Sequence, residues 1–532
     1  MMKKNMILVA CLVIILPLFF GCNNNDSSSD STTAHGTSAD SADTAPFDLS
    51  SYTAGLKIEK ATAIGYPFVA GTFISLSDYG YEGHEFFYSG TAHSYENTEP
   101  MASDGKWKVA QVTNADYKTR MLVFRPSDPA NFNGTVIVEW FNVTGGMDTA
   151  AEWITAHTEM LRRGYAYVGI SAQYIGVEGG MPPLYTPMGT SIPLKTIEYL
   201  RYRSLSHPGD SFSYDMFGQG CYLVRHPDPA GIAPLGELQD YVTHVIAAGE
   251  SQSATRLVTF INCFGKYIDF IDGYFVHSRL GFIPDFGGAS APLSQSPQAD
   301  LTTPSVVRMR DDLGKPVLNL QTETDAFVLG AYYSTQPDSD TFRLWEVAGT
   351  AHADYYLSVP GMLDPGDDIS YAEITLTKQP IIIMSAASCY VNAAPQHHFV
   401  ANAAIYALHN WVANGIVPPS APRFAVNDTE DGFLYDEYGN VQGGVRTPYV
   451  DAPVARLSGE NAYVNDGENL YFLMGETEML DTATLLSLYP THSAYVAAVT
   501  TAAQSAVADG FLLIEDANLI IGAAGASDIP AQ

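Results

Sequence analysis

The chain has 532 residues, of which 58 are Asp or Glu and 26 are Lys or Arg, so its formal net charge is −32. Nucleic-acid binding and electrostatic attachment to an anionic membrane surface both require Lys and Arg, and this charge balance argues against them. With 46% hydrophobic and 16% charged residues, the chain is too apolar to be disordered throughout. Its length is compatible with about three domains or with one large fold that carries insertions.

Residues 1–45 are predicted to be an export signal followed by a tether. Two lysines precede an apolar run over 6–21, which is too short for a membrane span and is interrupted by Pro17. Cys22 follows the run directly and a tract rich in Ser, Thr, Asn and Asp comes next. This arrangement resembles a bacterial lipoprotein signal, which implies cleavage after residue 21 and a lipid on Cys22. Because Asn23 follows Cys22, the resemblance further implies that the protein is located at the outer membrane or the cell surface.

The tether, residues 22–45, contains too little apolar surface to fold and is predicted to be flexible. An ordinary cleaved signal is the alternative to the lipoprotein signal. It would release a soluble periplasmic or secreted protein. Either way the chain is predicted to be exported, and membrane contact through Cys22 would need no positive charge.

The middle of the chain alternates between strand and helix patterns. Two amphipathic helices are predicted at 149–163 and 253–264, each ended by a glycine. The predicted strands are 117–126, 134–141, 165–171, 241–248, 271–277, 316–321 and 342–347. Strand–helix–strand alternation implies parallel pairing with helical crossovers, so the predicted fold class is α/β, with a mostly parallel central sheet flanked by helices.

Segments outside this alternation are predicted to be additions to one domain that covers 46–532. The stretch 174–240 is too long for a crossover and is predicted to be a lid-like insertion. A second insertion is possible at 354–400, and a C-terminal extension covers about 423–532. The first insertion contains aromatic residues that could either roof the site or pack its own core, namely Tyr174, Tyr185, Tyr199, Tyr202, Tyr214 and Phe217.

The sequence Gly249-Glu250-Ser251-Gln252-Ser253 lies between a predicted strand and a predicted helix. This context is typical of a nucleophile elbow, where a sharp turn exposes the serine hydroxyl at the carboxyl edge of the sheet. The elbow needs small residues two positions before and after the serine, and Gly249 and Ser253 satisfy this. The alternative is a serine that caps an ordinary strand-to-helix turn.

The chain after Ser251 supplies the partners that a serine nucleophile needs. A serine hydroxyl requires a base, and the base requires an orienting acid, in the order Ser, acid, His for α/β-hydrolases. His352 follows the strand at 342–347 and is the predicted base. Asp325 follows the strand at 316–321 and is the first choice for the acid, with Glu323 as the alternative.

An oxyanion hole needs two N–H donors aimed at the developing alkoxide. One donor is predicted to be the backbone N–H of Gln252. The other is predicted in the loop after the strand at 134–141, at Asn142 or Val143. Two glycines follow in this loop, where backbone can approach a substrate closely.

Several segments together resemble an α/β-hydrolase, in particular a little-characterised family of large bacterial "alpha/beta hydrolase domain" proteins. They are VEWFNVTGG, RRGYAYVGISAQ, AAGESQSATRL, LQTETD and WEVAGTAHAD, with ALHNWVANGIVPPSAPR and DEYGNVQGGVRTPYVDAPVA towards the C-terminus. The resemblance covers most of residues 56–470. It implies the fold, a Ser-His-acid triad and hydrolysis, most simply of a carboxylic ester, small or polymeric.

These observations predict an exported serine hydrolase that works through Ser251, His352 and Asp325 without a cofactor. The alternatives are a catalytically silent binding lipoprotein on the same fold, and a peptidase or lactonase. No metal site is predicted, because the adjacent His397 and His398 point in different directions on a helix or a strand.

The cysteine count does not decide whether the protein contains a disulfide. Cys221, Cys263 and Cys389 remain after the signal and the predicted lipidation site. One disulfide with one free thiol is possible outside the cytoplasm, and three unpaired buried cysteines are the alternative.

Overall fold

The protein is described by a computed structural model over residues 45–180, 191–228, 231–281, 306–376, 390–461 and 470–530. The predicted signal, the tether, Cys22, Tyr185 and Cys389 lie outside these residues. No helix within the described ranges is long and apolar enough to cross a membrane.

Nine strands form one sheet, and two more form a small hairpin-like pair. The strands are β1 (Lys57–Lys60), β2 (Tyr81–Asn97), β3 (Val109–Pro126), β4 (Thr135–Trp140), β5 (Ala166–Ile170), β6 (His244–Glu250), β7 (Gly273–His277), β8 (Val317–Thr322), β9 (Phe342–Val347), β10 (Ala455–Ser458) and β11 (Glu476–Met479). The order in the large sheet is β1-β2-β3-β5-β4-β6-β7-β8-β9. Pairing is antiparallel from β1 through β5 and parallel from β5 to β9.

The described helices vary from single turns to five turns. They are α1 (Leu49–Tyr52), α2 (Ala151–Arg162), α3 (Tyr174–Val177), α4 (Leu194–Ile197), α5 (Tyr199–Tyr202), α6 (Ser213–Arg225), α7 (Gln252–Cys263), α8 (Tyr355–Ser358), α9 (Gln396–Asn414), α10 (Pro448–Asp451), α11 (Thr482–Leu488), α12 (His492–Ala508) and α13 (Ile514–Ala526). The mostly parallel sheet with flanking helices confirms the predicted fold class.

The sheet is buried on both faces because its strands alternate between two apolar layers. On β4, Val136 and Val138 pack in the layer that contains α6 and α7. Ile137, between them, packs in the opposite layer with α2 and α9. Successive side chains of a strand point to opposite faces, so a continuously apolar strand is what a two-sided core requires.

All seven predicted strands and both predicted helices are present, with shifted boundaries. The first helix begins at Ala151 and not at 149, because Thr149 and Asn142 exchange two backbone hydrogen bonds and Thr149 is therefore extended. The buried carboxylate of Glu139 then accepts the N–H groups of Glu152 and Trp153, at 3.0 and 3.3 Å, and caps the helix.

The largest difference from the predicted elements is the long antiparallel pair formed by β2 and β3. Only the second half of β3 was predicted as a strand. The first half of β3 is mostly exposed, and its apolar and polar residues do not alternate regularly, so it lacks the pattern by which strands are recognised. Its strand geometry comes from pairing with β2 along the whole length.

In the described part of the 174–240 insertion, α6 packs against the sheet in the apolar layer that contains Val136 and Val138. Of the insertion's residues, Tyr202, Tyr214 and Phe217 are fully buried, whereas Tyr174 and Tyr199 are exposed. The C-terminal extension also joins the main body, since Arg162 on α2 donates two hydrogen bonds to the Asp516 carboxylate on α13. The division of the chain into one domain with additions stays a prediction.

Two of the three remaining cysteines are free. Cys221 on α6 and Cys263 on α7 are both buried and form no disulfide. The sequence allowed a disulfide between these two residues, and the structure shows that they do not form one.

Candidate active site

Ser251 occupies a strained turn between β6 and α7. Its φ and ψ angles are 60° and −120°, a region that non-glycine residues rarely adopt. A Cβ atom added to Gly249 would lie 3.0 Å from the carbonyl carbon of Ser253. A side chain at Gly249 would thus press on the backbone of the turn, and a small residue at this position is the packing requirement of a nucleophile elbow.

Ser253 does more than provide a small side chain at the end of this turn. Its hydroxyl donates to the Glu250 carbonyl oxygen at 2.8 Å and accepts the Glu250 backbone N–H at 3.1 Å. A glycine could make neither hydrogen bond. The hydroxyl of Ser253 therefore closes the turn from which the Ser251 side chain projects.

Ser251, His352 and Asp325 form one hydrogen-bonded chain, although they are far apart in sequence. The Nε2 atom of His352 lies 2.8 Å from the Ser251 hydroxyl oxygen. Its Nδ1 atom lies 2.6 Å from Asp325 Oδ1. Ser251 follows β6, Asp325 follows β8 and His352 follows β9, so the carboxyl ends of three parallel strands bring them together.

The electrostatics of this chain favour a charged His–Asp pair. Burial raises the pKa of Asp325, but His352, the Thr322 N–H and the Ser278 hydroxyl together outweigh this, and the pKa of the Asp325 carboxyl is lowered overall. Burial lowers the pKa of His352, yet Asp325 and, less strongly, Glu250 hold it above its ordinary value. An imidazole in this setting readily takes a proton from a hydroxyl group.

The backbone around Asp325 and His352 is fixed by neighbouring polar groups. Asp325 lies in a π-helical turn, Thr324–Val328, and its Oδ2 atom accepts the Thr322 N–H at 2.7 Å. The Thr324 hydroxyl accepts the His352 N–H at 3.1 Å. Isolated π-turns of this kind occur frequently at functional sites, but no pattern in the sequence distinguishes them from an ordinary helical turn.

Glu323, the alternative acid, does not contact His352. Its carboxylate accepts the N–H of Gly349 at 2.5 Å and that of Gly459 at 2.8 Å. Burial raises the pKa of Glu323 to about 8, and the two N–H donors act in the opposite direction. Through these two hydrogen bonds Glu323 connects the loop that carries His352 with the C-terminal extension, so the role of Glu323 is structural.

Of the two oxyanion donors predicted in the loop after β4, Asn142 and Val143, the structure leaves only the backbone N–H of Val143 without a partner among the described residues. The backbone N–H of Asn142 donates to the Thr149 carbonyl oxygen at 3.0 Å, so it is not available to an oxyanion. The Val143 N–H makes no hydrogen bond to any described residue, and Thr144 and Gly145 beside it line the cavity. Gln252, at the first position of α7, presents its N–H at the helix N-terminus.

A cavity of about 260 Å³ opens at Ser251 and His352. Besides Ser251 and His352, its polar lining residues are Asn142, Thr144, Thr149 and Glu250, and the rest of its lining is apolar. The apolar side chains are Ile154, Leu280, Leu329, Leu357, Met362, Phe472 and Leu473. Several described lining residues lie in the segment after His352 or in the C-terminal extension, and none of the described ones lies in the 174–240 insertion. The lid-like role of that insertion stays a prediction.

A second buried polar cluster lies behind the turn and includes one of the paired histidines. The Nε2 atoms of His277 and His397 lie 2.6 Å apart, and His277 Nδ1 lies 2.8 Å from Glu152 Oε1. His398 faces away and its Nδ1 lies 2.5 Å from the Thr155 carbonyl oxygen. Within the described ranges, no group of three or more His, Cys, Asp or Glu side chains has the arrangement of a metal site.

The sheet order, the turn at Ser251 and the position of His352 after β9 define the class of protein as an α/β-hydrolase. A family model described as "Alpha/beta hydrolase domain" matches residues 51–522, and the chain belongs to that family. This confirms the resemblance found in the sequence. No curated protein matches the chain.

Several solved structures share parts of the fold at low identity. Est1E from Butyrivibrio proteoclasticus, solved with ferulic acid bound, is 13% identical over 46% of this chain and 92% of its own, with a TM-score of 0.27. XC6422 from Xanthomonas campestris is 11% identical over 43% of this chain and 78% of its own, with a TM-score of 0.25. A glucuronoyl esterase from Solibacter usitatus is 9% identical over 55% of this chain and 81% of its own, with a TM-score of 0.26.

Proposed function

We propose that this α/β-hydrolase cleaves a carboxylic ester by acyl transfer through Ser251. The observation that carries the proposal is the continuous hydrogen-bonded chain from Ser251 through His352 to Asp325. It starts at a strained turn that exposes the hydroxyl to a cavity. A serine that only capped the helix would need neither a histidine at 2.8 Å nor a buried acid behind it.

The proposed reaction has two steps. Ser251 Oγ attacks the carbonyl carbon of the ester while His352 Nε2 takes its proton, and the imidazolium then protonates the departing alcohol oxygen. Water attacks the acyl-Ser251 carbonyl in the second step, again giving its proton to His352, and the acid is released as Ser251 recovers its proton. Asp325 holds Nδ1–H throughout and stabilises the imidazolium.

The tetrahedral intermediate in each step carries an alkoxide that needs two donors. We assign these to the backbone N–H groups of Gln252 and Val143. Gln252 begins the helix that follows the nucleophile, and Val143 has no competing acceptor among the described residues. Asn142 contributes through its side chain, which donates to the Glu250 carbonyl oxygen at 3.0 Å and so ties this loop to the turn.

The cavity supports an ester with an apolar portion of moderate size. Its apolar lining consists of aliphatic side chains, one methionine and one phenylalanine. An acyl chain placed there would gain roughly 0.8 kcal/mol for each buried CH₂ group. Peptides and lactones remain alternative substrates, and a panel of esters, lactones and peptides distinguishes them.

The test is hydrolysis of 4-nitrophenyl butyrate together with labelling by a fluorophosphonate. Ser251→Ala is expected to lower turnover by about 10³-fold or more and to abolish labelling. Ser358→Ala is the matched control, because Ser358 lies on α8 and its hydroxyl donates only to the Asp354 carbonyl oxygen. Near-normal turnover by Ser251→Ala would refute the assignment. A wild-type chain that neither hydrolyses nor labels would instead indicate the silent binding protein.

We further propose that the chain is exported and anchored by a lipid on Cys22. The support is the basic and apolar N-terminus with Cys22 directly after it, and the acidic composition suits a surface that faces an outside medium. Metabolic labelling with an alkyne fatty acid should mark the wild type and not Cys22→Ala. Labelling of both would contradict the anchor, whereas labelling of neither with protein in the medium would indicate an ordinary secreted hydrolase.

A further inference from the structure

The cavity contains a second carboxylate, which the proposed reaction does not use. Glu250 directly precedes Ser251 and lines the cavity with Ser251 and His352. Its Oε1 atom lies 3.7 Å from His352 Nε2, the nitrogen that faces the Ser251 hydroxyl. The Glu250 side chain is only 5% exposed, so any charge it carries is poorly screened by solvent.

The Glu250 carboxylate is held in place by a neutral partner. The Asn142 side-chain amide donates to Glu250 Oε2 at 3.3 Å and to the Glu250 carbonyl oxygen. None of the described residues that line the cavity is a Lys or Arg. The negative charge of an ionised Glu250 is therefore not neutralised by a permanent cation in the cavity.

The charged and titratable groups around Glu250 come from four different elements. His352 and His277 favour its ionised form, while Glu152 and Asp325 oppose it. Burial is the largest effect, and it raises the pKa of Glu250 to about 7. The carboxyl is therefore mostly neutral below this pH and mostly anionic above it.

We propose that Glu250 is a specificity-determining residue that makes the site select against esters with an anionic group in the alcohol portion. The proposal rests on ester hydrolysis at Ser251. The leaving alcohol oxygen must come within about 3.2 Å of His352 Nε2 to receive its proton. It then lies no more than about 7 Å from Glu250 Oε1, given the separation of 3.7 Å between Oε1 and Nε2.

Two consequences follow from a single carboxyl at this position. An anionic alcohol portion is repelled when Glu250 is ionised and tolerated when Glu250 is protonated. A neutral alcohol portion of the same shape is affected in neither state. The discrimination between the two esters should therefore rise with pH, which a purely structural role of Glu250 would not produce.

The experiment compares 3-carbamoylphenyl butyrate with 3-carboxyphenyl butyrate, which share the acyl group and differ by an amide and a carboxylate. The measured quantity is the ratio of kcat/KM for the neutral ester to kcat/KM for the anionic ester. Titration of His352 and any general loss of activity act on both esters and cancel in this ratio. The wild-type ratio is expected to rise about 10-fold or more between pH 5.5 and pH 8.5.

Glu250→Gln keeps the shape of the side chain and is expected to give a ratio that does not change with pH. Glu346→Gln is the matched control, since Glu346 is a buried carboxylate on β9 that does not line the cavity and accepts the Phe424 N–H. Its ratio should rise as in the wild type. The wild-type pH series is decisive even if Glu250→Gln does not fold.

A flat wild-type ratio, with hydrolysis of both esters dependent on Ser251, would overturn the role of Glu250 and leave the proposed function intact. A pH-dependent ratio that persists in Glu250→Gln would overturn it as well. Failure of the wild type to hydrolyse either ester or 4-nitrophenyl butyrate would refute the proposed function itself.

Discussion

Replacing Asp325 by Asn should reduce activity far more than replacing the nearby Glu323 by Gln, although both are buried acids in the same loop. In the structure Asp325 Oδ2 accepts the Thr322 N–H at 2.7 Å, and Oδ1 lies 2.6 Å from His352 Nδ1. In Asp325→Asn the amide oxygen keeps the bond to Thr322, so the amide NH₂ faces Nδ1. His352 must then carry its proton on Nε2, and it can no longer accept the proton of Ser251.

The wrong tautomer should lower kcat/KM by on the order of 10³–10⁴-fold, because the proton acceptor of the first step is lost. Glu323→Gln acts differently. One of the two N–H groups that Glu323 accepts, from Gly349 or Gly459, would face the new amide NH₂ and lose its acceptor. The expected loss of unfolding free energy is about 1–3 kcal/mol, with less than about a tenfold loss of activity.

The two variants should be compared by kcat/KM for 4-nitrophenyl butyrate and by urea unfolding. The expected pattern is an inactive, stable Asp325→Asn and an active, less stable Glu323→Gln. The reverse pattern would show that Glu323 orients His352 in the working enzyme. Equal losses of activity in both variants would refute the assignment of separate tasks to these acids.

Three further outcomes follow from the geometry of the site and the core. Asp325 holds the pKa of His352 above its ordinary value of 6.5, and the proposed reaction needs the neutral imidazole. The value of kcat/KM should therefore fall on acidification with a midpoint above pH 6.5. A midpoint below pH 6.5 would contradict this. Gly249→Ala should destabilise the fold by about 1–3 kcal/mol in urea unfolding, because its Cβ meets the elbow backbone. Gly145→Ala, whose Cβ meets no atom within 4 Å, is the control and should leave stability nearly unchanged. Thiol titration of unfolded protein prepared without reductant should find Cys221 and Cys263 free; a disulfide to either residue in a peptide map would be inconsistent with the structure.

The sequence was sufficient for the parts of the protein that local patterns encode. The alternation of strands and helices is visible because buried strands are continuously apolar and the helices carry apolar stripes. The turn at Ser251 is visible because its steric requirements fall on near neighbours, Gly249 and Ser253. The position of Ser251, Asp325 and His352 after three parallel strands is enough to predict that they meet, since parallel strands end at one edge.

Local sequence patterns could not predict where side chains point or which groups compete for the same hydrogen-bond partner. Asp325 and Glu323 are two residues apart, and only the π-turn between β8 and the following loop directs one towards His352 and the other towards Gly349 and Gly459. The N–H of Asn142 is used by Thr149, a pairing that depends on how the loop folds back. The proposed role of Glu250 could not be predicted either, because the sequence around Ser251 does not show whether the Glu250 side chain faces the cavity.

The sequence alone therefore determined the hydrolase fold, the turn at Ser251 and the candidate residues, because these follow from short-range steric rules and hydrophobic periodicity. Tertiary structure alone decided which acid contacts the histidine, which segments wall the cavity and where a second carboxylate stands. Those features arise from contacts between residues tens to hundreds of positions apart, such as Leu280, Met362 and Phe472 around one cavity. No local pattern specifies such contacts, since each of these side chains would serve equally well in any apolar core.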